Sequence, residues 1–411
     1  MTLSIERRGA RWGDRTAVVD VSEADLYAPA ATVDEDRVTY AELAALARTT
    51  AGALADRGVG AGDVVAVLSR NRIATLALVF ACRRLGATLA PVSHRLTPAT
   101  VDRPLERLAP TLVIHERGQR DLVRAVPGNA SVALDELGEA AARDPALGND
   151  GAGEATPVVG SAATDGRVGD APLLALHGED GTPVARFDGA AVEWNCVTAV
   201  ATRGLGRADR TTILRPLSSA DGLLGVALPV LYAGGRLAID RAFDPADAVA
   251  ATRRENATFL AGRAAAFRDL LACDGIDDAL AALEWIAWEG SVDETVASGY
   301  RERGVPVART YGRLECPNAL SQSLGDGDPV DAGVGTPVLD CDARLVDDGE
   351  DVTGPGEGTL RLAGPVLASG YADGSAADDS SAGFAGGWFD TGERFRRDER
   401  GRYHPIDADE E

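Results

Sequence analysis

Between residues 39 and 115 the chain alternates helix-period segments with short β-branched runs, and this alternation constrains the fold more than any other feature. Thr39-Tyr40-Ala41-Glu42 has the Ser/Thr-x-x-Glu form of a capping box, in which hydroxyl and carboxylate satisfy two otherwise unpaired N–H groups. Leu43, Leu46, Ala47 and Leu54 then recur at helical spacing up to Gly58, predicting a helix from about 40 to 57. Asp63 to Leu68 reads as a strand, Ile73, Leu76 and Phe80 continue at helical period, and Thr88 to Val92 is apolar again. Thr97-Pro98 offers a cap and a first-position proline, so a helix is expected from there to near Pro110, followed by a strand over Thr111 to His115. Strand and helix in turn imply a largely parallel sheet with helices on its faces.

With 411 residues there is room for two or three domains. From Glu136 to Gly169 the sequence turns to Gly, Ala, Asp and Pro, an acidic connection, and order resumes at Pro172. Apolar stretches at Leu223 to Leu231, Ala248 to Cys273 and Glu284 to Trp288 indicate a second α/β layer set. Beyond about 326, short runs such as Asp342 to Val346 and Gly358 to Leu362 stand between Gly and Pro, which suits a β-rich subdomain. The expected division is 1–170, 171–325 and 326–411.

The sequence contains no lysine, so all 41 basic side chains are arginine. That excludes a Walker phosphate-loop lysine, a Schiff base and a lysine-tethered cofactor. Acidic residues number 64, for a net charge of −23. Such a field repels nucleic-acid phosphates and anionic membranes, so neither is expected as a partner. Excess carboxylate with arginine in place of lysine fits adaptation to high salt, where self-repulsion is screened. Cys82, Cys196, Cys273, Cys316 and Cys341 lack any Cys-x-x-Cys spacing and read as buried free thiols. No apolar segment stands behind the N-terminal charges and no apolar run nears ~18 residues, so a cytoplasmic location is expected.

Four segments, in order, resemble the AMP-forming acyl- and aryl-CoA synthetase superfamily of acyl-adenylate-forming enzymes. They are Val38 to Leu43 with Gly58 to Ala66, extended by His94-Arg95-Leu96-Thr97-Pro98; Tyr311-Gly312-Arg313-Leu314-Glu315, similar to Y-G-x-T-E; Gly333 to Pro337 with Gly356 to Leu360, Gly364-Pro365 and Gly370-Tyr371; and Gly387-Trp388-Phe389-Asp390-Thr391-Gly392-Glu393, similar to G-W-[FY]-x-T-G-D. The resemblance implies the family's large N-terminal domain: two α/β subdomains plus a small β-barrel-like subdomain. It also implies ATP or AMP, magnesium, coenzyme A and a small carboxylic acid as ligands. Tyr311 would meet adenine, Gly312 would belong to the nucleotide site, Glu315 would meet magnesium, and Glu393 the ribose hydroxyls.

The same resemblance exposes departures. Where the family carries its phosphate loop S-G-T-T-G-x-P-K-G, this chain has His177-Gly178-Glu179-Asp180-Gly181-Thr182-Pro183-Val184-Ala185. Gly178, Gly181 and Thr182 keep a phosphate-loop turn in prospect, while Glu179 and Asp180 replace hydroxyls and Val184 takes the lysine position. A carboxylate about 6 Å from a phosphate costs roughly 3 kcal/mol per charge pair at an effective dielectric of 20. Leu314 replaces the threonine that contacts the α-phosphate. The P-L-x-H stretch reads Pro216-Leu217-Ser218-Ser219, and the hinge aspartate-arginine reads Asp407-Ala408. A mobile C-terminal domain bearing the catalytic lysine is expected to be absent. Of the four histidines only His177 is a site candidate, and a loop histidine is ordinarily a surface residue. The expectation is an AMP-forming carboxylate–CoA ligase impaired as an isolated chain. Two alternatives remain open: a non-catalytic acyl- or nucleotide-binding protein, and one half of a split ligase completed by a separate C-terminal domain chain.

Overall fold

The computed structural model describes residues 3–22, 37–124, 130–137, 172–324, 331–372 and 383–406. The capping box forms as expected: Thr39 N–H donates to Glu42 Oε2 at 2.7 Å, Glu42 N–H donates to Thr39 Oγ1 at 3.2 Å, and the helix runs Tyr40–Ala55. The helix Ile73–Leu85 follows the strand Val64–Ser69 and stops at Gly86, which takes the left-handed conformation glycine adopts without strain. Its residues Ile73 to Cys82 are all buried.

One expectation fails locally. The cap at Thr97 folds a turn of its own, Thr97 N–H donating to Thr100 Oγ1 at 2.9 Å and Val101 N–H to Thr97 O at 2.9 Å. The helix therefore begins only at Asp102 and ends at Leu108.

Four sheets organise the described residues. A seven-stranded sheet carries, in spatial order, Gly370–Tyr371, Val184–Asp188, Pro172–His177, Thr88–Ser93, Val64–Ser69, Leu112–His115 and Ala130–Ala133. Its middle is parallel, as strand-helix alternation requires, and Pro172–His177 pairs antiparallel with Val184–Asp188 through the 178–183 turn. A four-stranded sheet holds Arg37–Thr39, Thr16–Asp20, Arg236–Ile239 and Arg210–Ile213. A five-stranded sheet runs Phe259–Arg263, Trp285–Glu289, Val307–Arg313, Cys316–Ser321 and Thr336–Pro337, its first three strands parallel. The fourth sheet is antiparallel and gathers strands from Asp342 to Pro405, including Gly356–Ala363 and Trp388–Arg397. The α/β class with a β-rich C-terminal part is thus observed.

The apolar stretch read at 223–231 is a π-helical segment, Asp221–Ala227, leading into the helix Leu228–Ala233. Backbone crowding fixes its start, since a Cβ on Gly222 would stand 2.2 Å from Pro216 O. The wider winding carries Asp221 at its first turn. Of the cysteines, Cys82, Cys196, Cys316 and Cys341 are buried free thiols, whereas Cys273 is half-buried just past the helix Ala264–Leu271, a departure from the expectation. Apart from residues 136 and 137, the acidic connection expected at 136–169 lies outside the described residues, as do Asp407-Ala408 and the proposed boundaries at 170 and 325–326.

Candidate active site

Three parallel strands end at one level. Arg263 is in register with Glu289, and Glu289 with Thr310, so all three stand at the carboxyl edge of the five-stranded sheet, where open α/β sheets hold their ligands. The chain then bulges between Tyr311 and Arg313 and turns back at Cys316. Gly312 sits in that bulge, where a Cβ would lie 2.1 Å from Pro317 O, so no larger residue fits.

The bulge gathers four of the expected residues. The Tyr311 hydroxyl donates to Glu393 Oε2 at 2.7 Å, and Arg313 closes on the other oxygen of Glu393. The Tyr311 ring meets Phe395 edge-on at 5.1 Å, which locks it against the β-rich part. Burial, and then the Glu393 carboxylate, push the Tyr311 phenol well above its ordinary range, so it remains a donor. Glu315 is buried; its Oε1 accepts from Tyr371 at 2.7 Å. Its Oε2 lies 3.8 Å from Arg313 Nε and has no hydrogen-bond partner. An unpartnered carboxylate oxygen of this kind fits a group that would hold a magnesium ion. Among the described residues no three or more His, Cys, Asp or Glu side chains are grouped to hold a metal.

The 178–183 turn behaves differently from its sequence reading in three respects. Gly178 and Gly181 do shape it: Gly178 N–H donates to Pro183 O at 2.9 Å, Gly181 N–H to Gly178 O at 3.0 Å, and Gly181 takes φ +90° against Pro104. Thr182 is half-buried beside it, its carbonyl oxygen 2.4 Å from the place of a Cβ on Gly178. First, His177 is not a surface residue. It is buried, Ser93 N–H donates to its Nε2 at 3.0 Å and its Nδ1 faces Gly178 O at 2.7 Å, so both ring nitrogens are consumed in fixing the turn. Second, Glu179 is not an unopposed charge: Arg263 Nη1 lies 2.8 Å from its Oε1. Third, Val184 does not occupy a phosphate-facing position. It begins a strand and is buried among Leu68, Val92 and Ala175, because that strand is covered on both faces. Leu314 likewise packs toward the main core, where its apolar side chain gains what a hydroxyl would lose.

Sequence reasoning missed the charged cluster beneath the turn. Arg263 also reaches Glu289 (3.1 Å) and Asp221 (3.4 Å), and Arg215 holds Asp221 at 2.6 Å. Burial, and then Asp221, push the Glu289 carboxyl up to about 7 against the pull of Arg215 and Arg263. Arg215, Asp221 and Glu289 line a narrow cleft of about 20 Å³ that also reaches Arg203 and Gly312. The available signal was positional: Arg263 and Glu289 are the last residues of consecutive parallel strands.

A family model described as AMP-binding enzyme matches residues 5–165 and 190–372, leaving unmatched the interval that holds the 178–183 turn. The chain is 28% identical over 375 residues to a feruloyl-CoA synthase of an Amycolatopsis species, covering 90% of this chain and 73% of that protein. It is 30% identical over 404 residues to an indoleacetate–CoA ligase of Aromatoleum aromaticum, covering 95% and 76%. Among solved structures, the N-terminal domain of FACL13 from Mycobacterium tuberculosis superposes with a TM-score of 0.82 at 20% identity over 98% of both chains. O-succinylbenzoate coenzyme A synthetase from Bacillus subtilis, solved in complex with AMP, superposes with a TM-score of 0.77 at 20% identity over 98% and 97%. Among the described residues no helix is long and apolar enough to cross a membrane.

Proposed function

The chain belongs to the AMP-binding enzyme family, and from that membership we propose that its crevice binds an adenylate and a carboxylic acid as AMP-forming CoA ligases do, with triphosphate handling much weakened. The observation that carries this reading is the convergence of Tyr311, Glu393 and Glu315 through Arg313 at the carboxyl edge of a parallel sheet. An aromatic wall, a carboxylate for ribose hydroxyls and a carboxylate with one unused oxygen are the elements an adenosine monophosphate with a bound cation needs. Magnesium, when bound, supplies charge for the phosphate oxygens. Glu315 holds it, Tyr371 orients Glu315, and Arg313 fixes Glu393 toward the ribose.

The weakening follows from the turn. Acyl adenylation depends on donors aimed where charge develops at the α-phosphate. Here the turn presents Glu179 and Asp180, both exposed, and the position expected to carry lysine is interior. The sequence contains no lysine that could stand in. Those same observations favour a second reading, a binding protein that uses the crevice without ligase turnover. A separate small chain that supplies the missing cation would restore turnover and is the third.

Calorimetry decides the first point. AMP should bind at least as tightly as ATP with magnesium, and Glu393→Ala should weaken AMP tenfold or more, about 1.4 kcal/mol. ATP binding tenfold tighter than AMP would overturn the assignment of the turn. Pyrophosphate exchange into ATP, measured with a panel of carboxylates, should stay at the level of a protein-free blank.

A further inference from the structure

Arg203 ends the helix Gly189–Arg203 and stands where two narrow clefts meet. One, of about 20 Å³, reaches Gly312 and the charged floor at Asp221 and Glu289; the other, of about 10 Å³, is lined by Thr198 and Val338 among others. Arg203, Thr310 and Pro317 belong to the walls of both. Each has room for about one water or one methyl group. Gly312 lies in the bulge between Tyr311 and Arg313, so the larger cleft leads inward from the candidate nucleotide site.

The guanidinium between the clefts is anchored from two directions. Nη2 donates to Asn318 Oδ1 at 3.1 Å and Nη1 to the carbonyl oxygen of Gly225. Asn318 Nδ2 in turn donates to Asn195 Oδ1 at 3.0 Å and to Leu224 O at 3.3 Å, and Asn195 Nδ2 donates to Ala191 O at 2.9 Å and to Val366 O at 2.8 Å. Both asparagines are buried. Swinging Arg203 aside would leave Asn318 Oδ1 without its donor, and a buried acceptor left unpaired is costly. The acceptors of Arg203 are neutral, and burial pushes its guanidinium down to about 10 while Glu289 acts in the other direction. An apolar tail laid against it would cover its remaining N–H groups and add to that cost. Such a tail meets a filled space and an unfavourable surface at once.

We propose that Arg203 is a plug that sets acid length: the crevice takes an acid whose tail is no longer than the methyl group of acetate, and longer or aromatic acids are stopped at Arg203. The proposal rests on the ligase reading for the place of the carboxyl group, beside Gly312. Truncating Arg203 removes the partition and joins the two clefts into one space open to a longer tail.

The test is calorimetry of the whole chain with acetate and with hexanoate, each in the presence and absence of AMP. In the wild-type chain hexanoate should bind no more tightly than acetate, because its added methylenes find no apolar surface to bury. Arg203→Ala should bind hexanoate at least tenfold more tightly than the wild-type chain does, with acetate changed less than threefold. Arg203→Ser removes the same bulk and should repeat the gain. Wild-type hexanoate binding severalfold tighter than acetate overturns the proposal and needs no variant to fold. The absence of a hexanoate gain in a folded variant overturns it too. Failure of both variants to fold, read by melting temperature, assigns Arg203 to the core and overturns the plug. AMP titrated in the same cell tests the ligase reading separately: AMP binding without a hexanoate gain leaves that reading standing, and a hexanoate gain without AMP binding leaves the plug standing and sinks the ligase reading.

Discussion

Arg263 and Glu289 face each other across adjacent parallel strands, Nη2 to Oε1 3.1 Å, and the same guanidinium spans from Asp221 beneath the cleft to Glu179 on the turn above it. One side chain thus connects the candidate phosphate turn to the floor of the cleft. Its neighbours set the charge that any ligand meets.

Stability should depend on pH through Glu289. Its folded-state pKa is raised to about 7, so the folded chain keeps a proton that the unfolded chain gives up above about 4.5. The contribution is present in full below 4.5 and is lost as pH rises through 7, amounting to at most about 3 kcal/mol. Glu116 acts in the opposite sense. Burial works against its ionisation, yet Arg72 and Arg70 outweigh burial and pull its carboxyl down to about 2, so its stabilisation is lost as pH falls below 4.5 toward 2. Glu289→Gln should flatten the melting-temperature decline between pH 5 and 8 and leave the acid limb unchanged. A decline of the same slope in the variant would assign it to other groups.

What the sequence showed and what it hid divide by distance along the chain. The capping box at Thr39 and Glu42 is local, three residues apart, and it formed as read. Tyr311, Glu315 and Glu393 were legible only because their flanking residues resemble a family pattern; that Tyr311 donates to Glu393, 82 residues away, was not. The resemblance gives Val184 the lysine position but does not disclose that its side chain is interior, on a strand where Val184, Ala185 and Phe187 are all buried. The pairing of Arg263 with Glu289 depends on sheet register, which no single-chain periodicity discloses.

Tyr371→Phe should expose the dependence of Glu315 on its neighbour. The substitution leaves both oxygens of a buried carboxylate without a hydrogen-bond donor, costing about 1–3 kcal/mol of stability. Arg313 is the remaining cation, at 3.8 Å. Magnesium should recover part of the lost melting temperature by occupying the freed site. No difference between magnesium and potassium chloride of equal ionic strength would remove Glu315 from consideration as a metal ligand.

Salt should stabilise the chain. With 23 uncompensated negative charges, self-repulsion is greatest when unscreened, and the Debye length contracts from about 10 Å at 0.1 M to about 3 Å at 1 M. Surface pairs such as Arg303 with Asp277 lose little in exchange, since exposed pairs contribute roughly 0–1 kcal/mol. The melting temperature is expected to rise from 0.1 to 2 M potassium chloride. A flat or falling curve would reject salt adaptation.

The turn itself is tested by two substitutions with opposite expectations. Val184→Lys places an ammonium where the side chain is 1% exposed among aliphatic neighbours, and should destabilise by several kcal/mol without gaining any ATP affinity. Glu179→Thr acts on an exposed residue, so stability should move by less than about 1 kcal/mol. It removes a carboxylate from the crevice mouth, adds a hydroxyl and releases one nitrogen of Arg263, whose remaining bonds to Glu289 and Asp221 keep it in place. The freed, positioned guanidinium nitrogen is a charge-assisted donor for a phosphate oxygen. ATP affinity should therefore rise severalfold in Glu179→Thr while AMP, which lacks the outer phosphates, changes little. Equal gains for both nucleotides would mean that the turn acts only through the general field; a gain for neither would mean that Arg263 does not reach the phosphates.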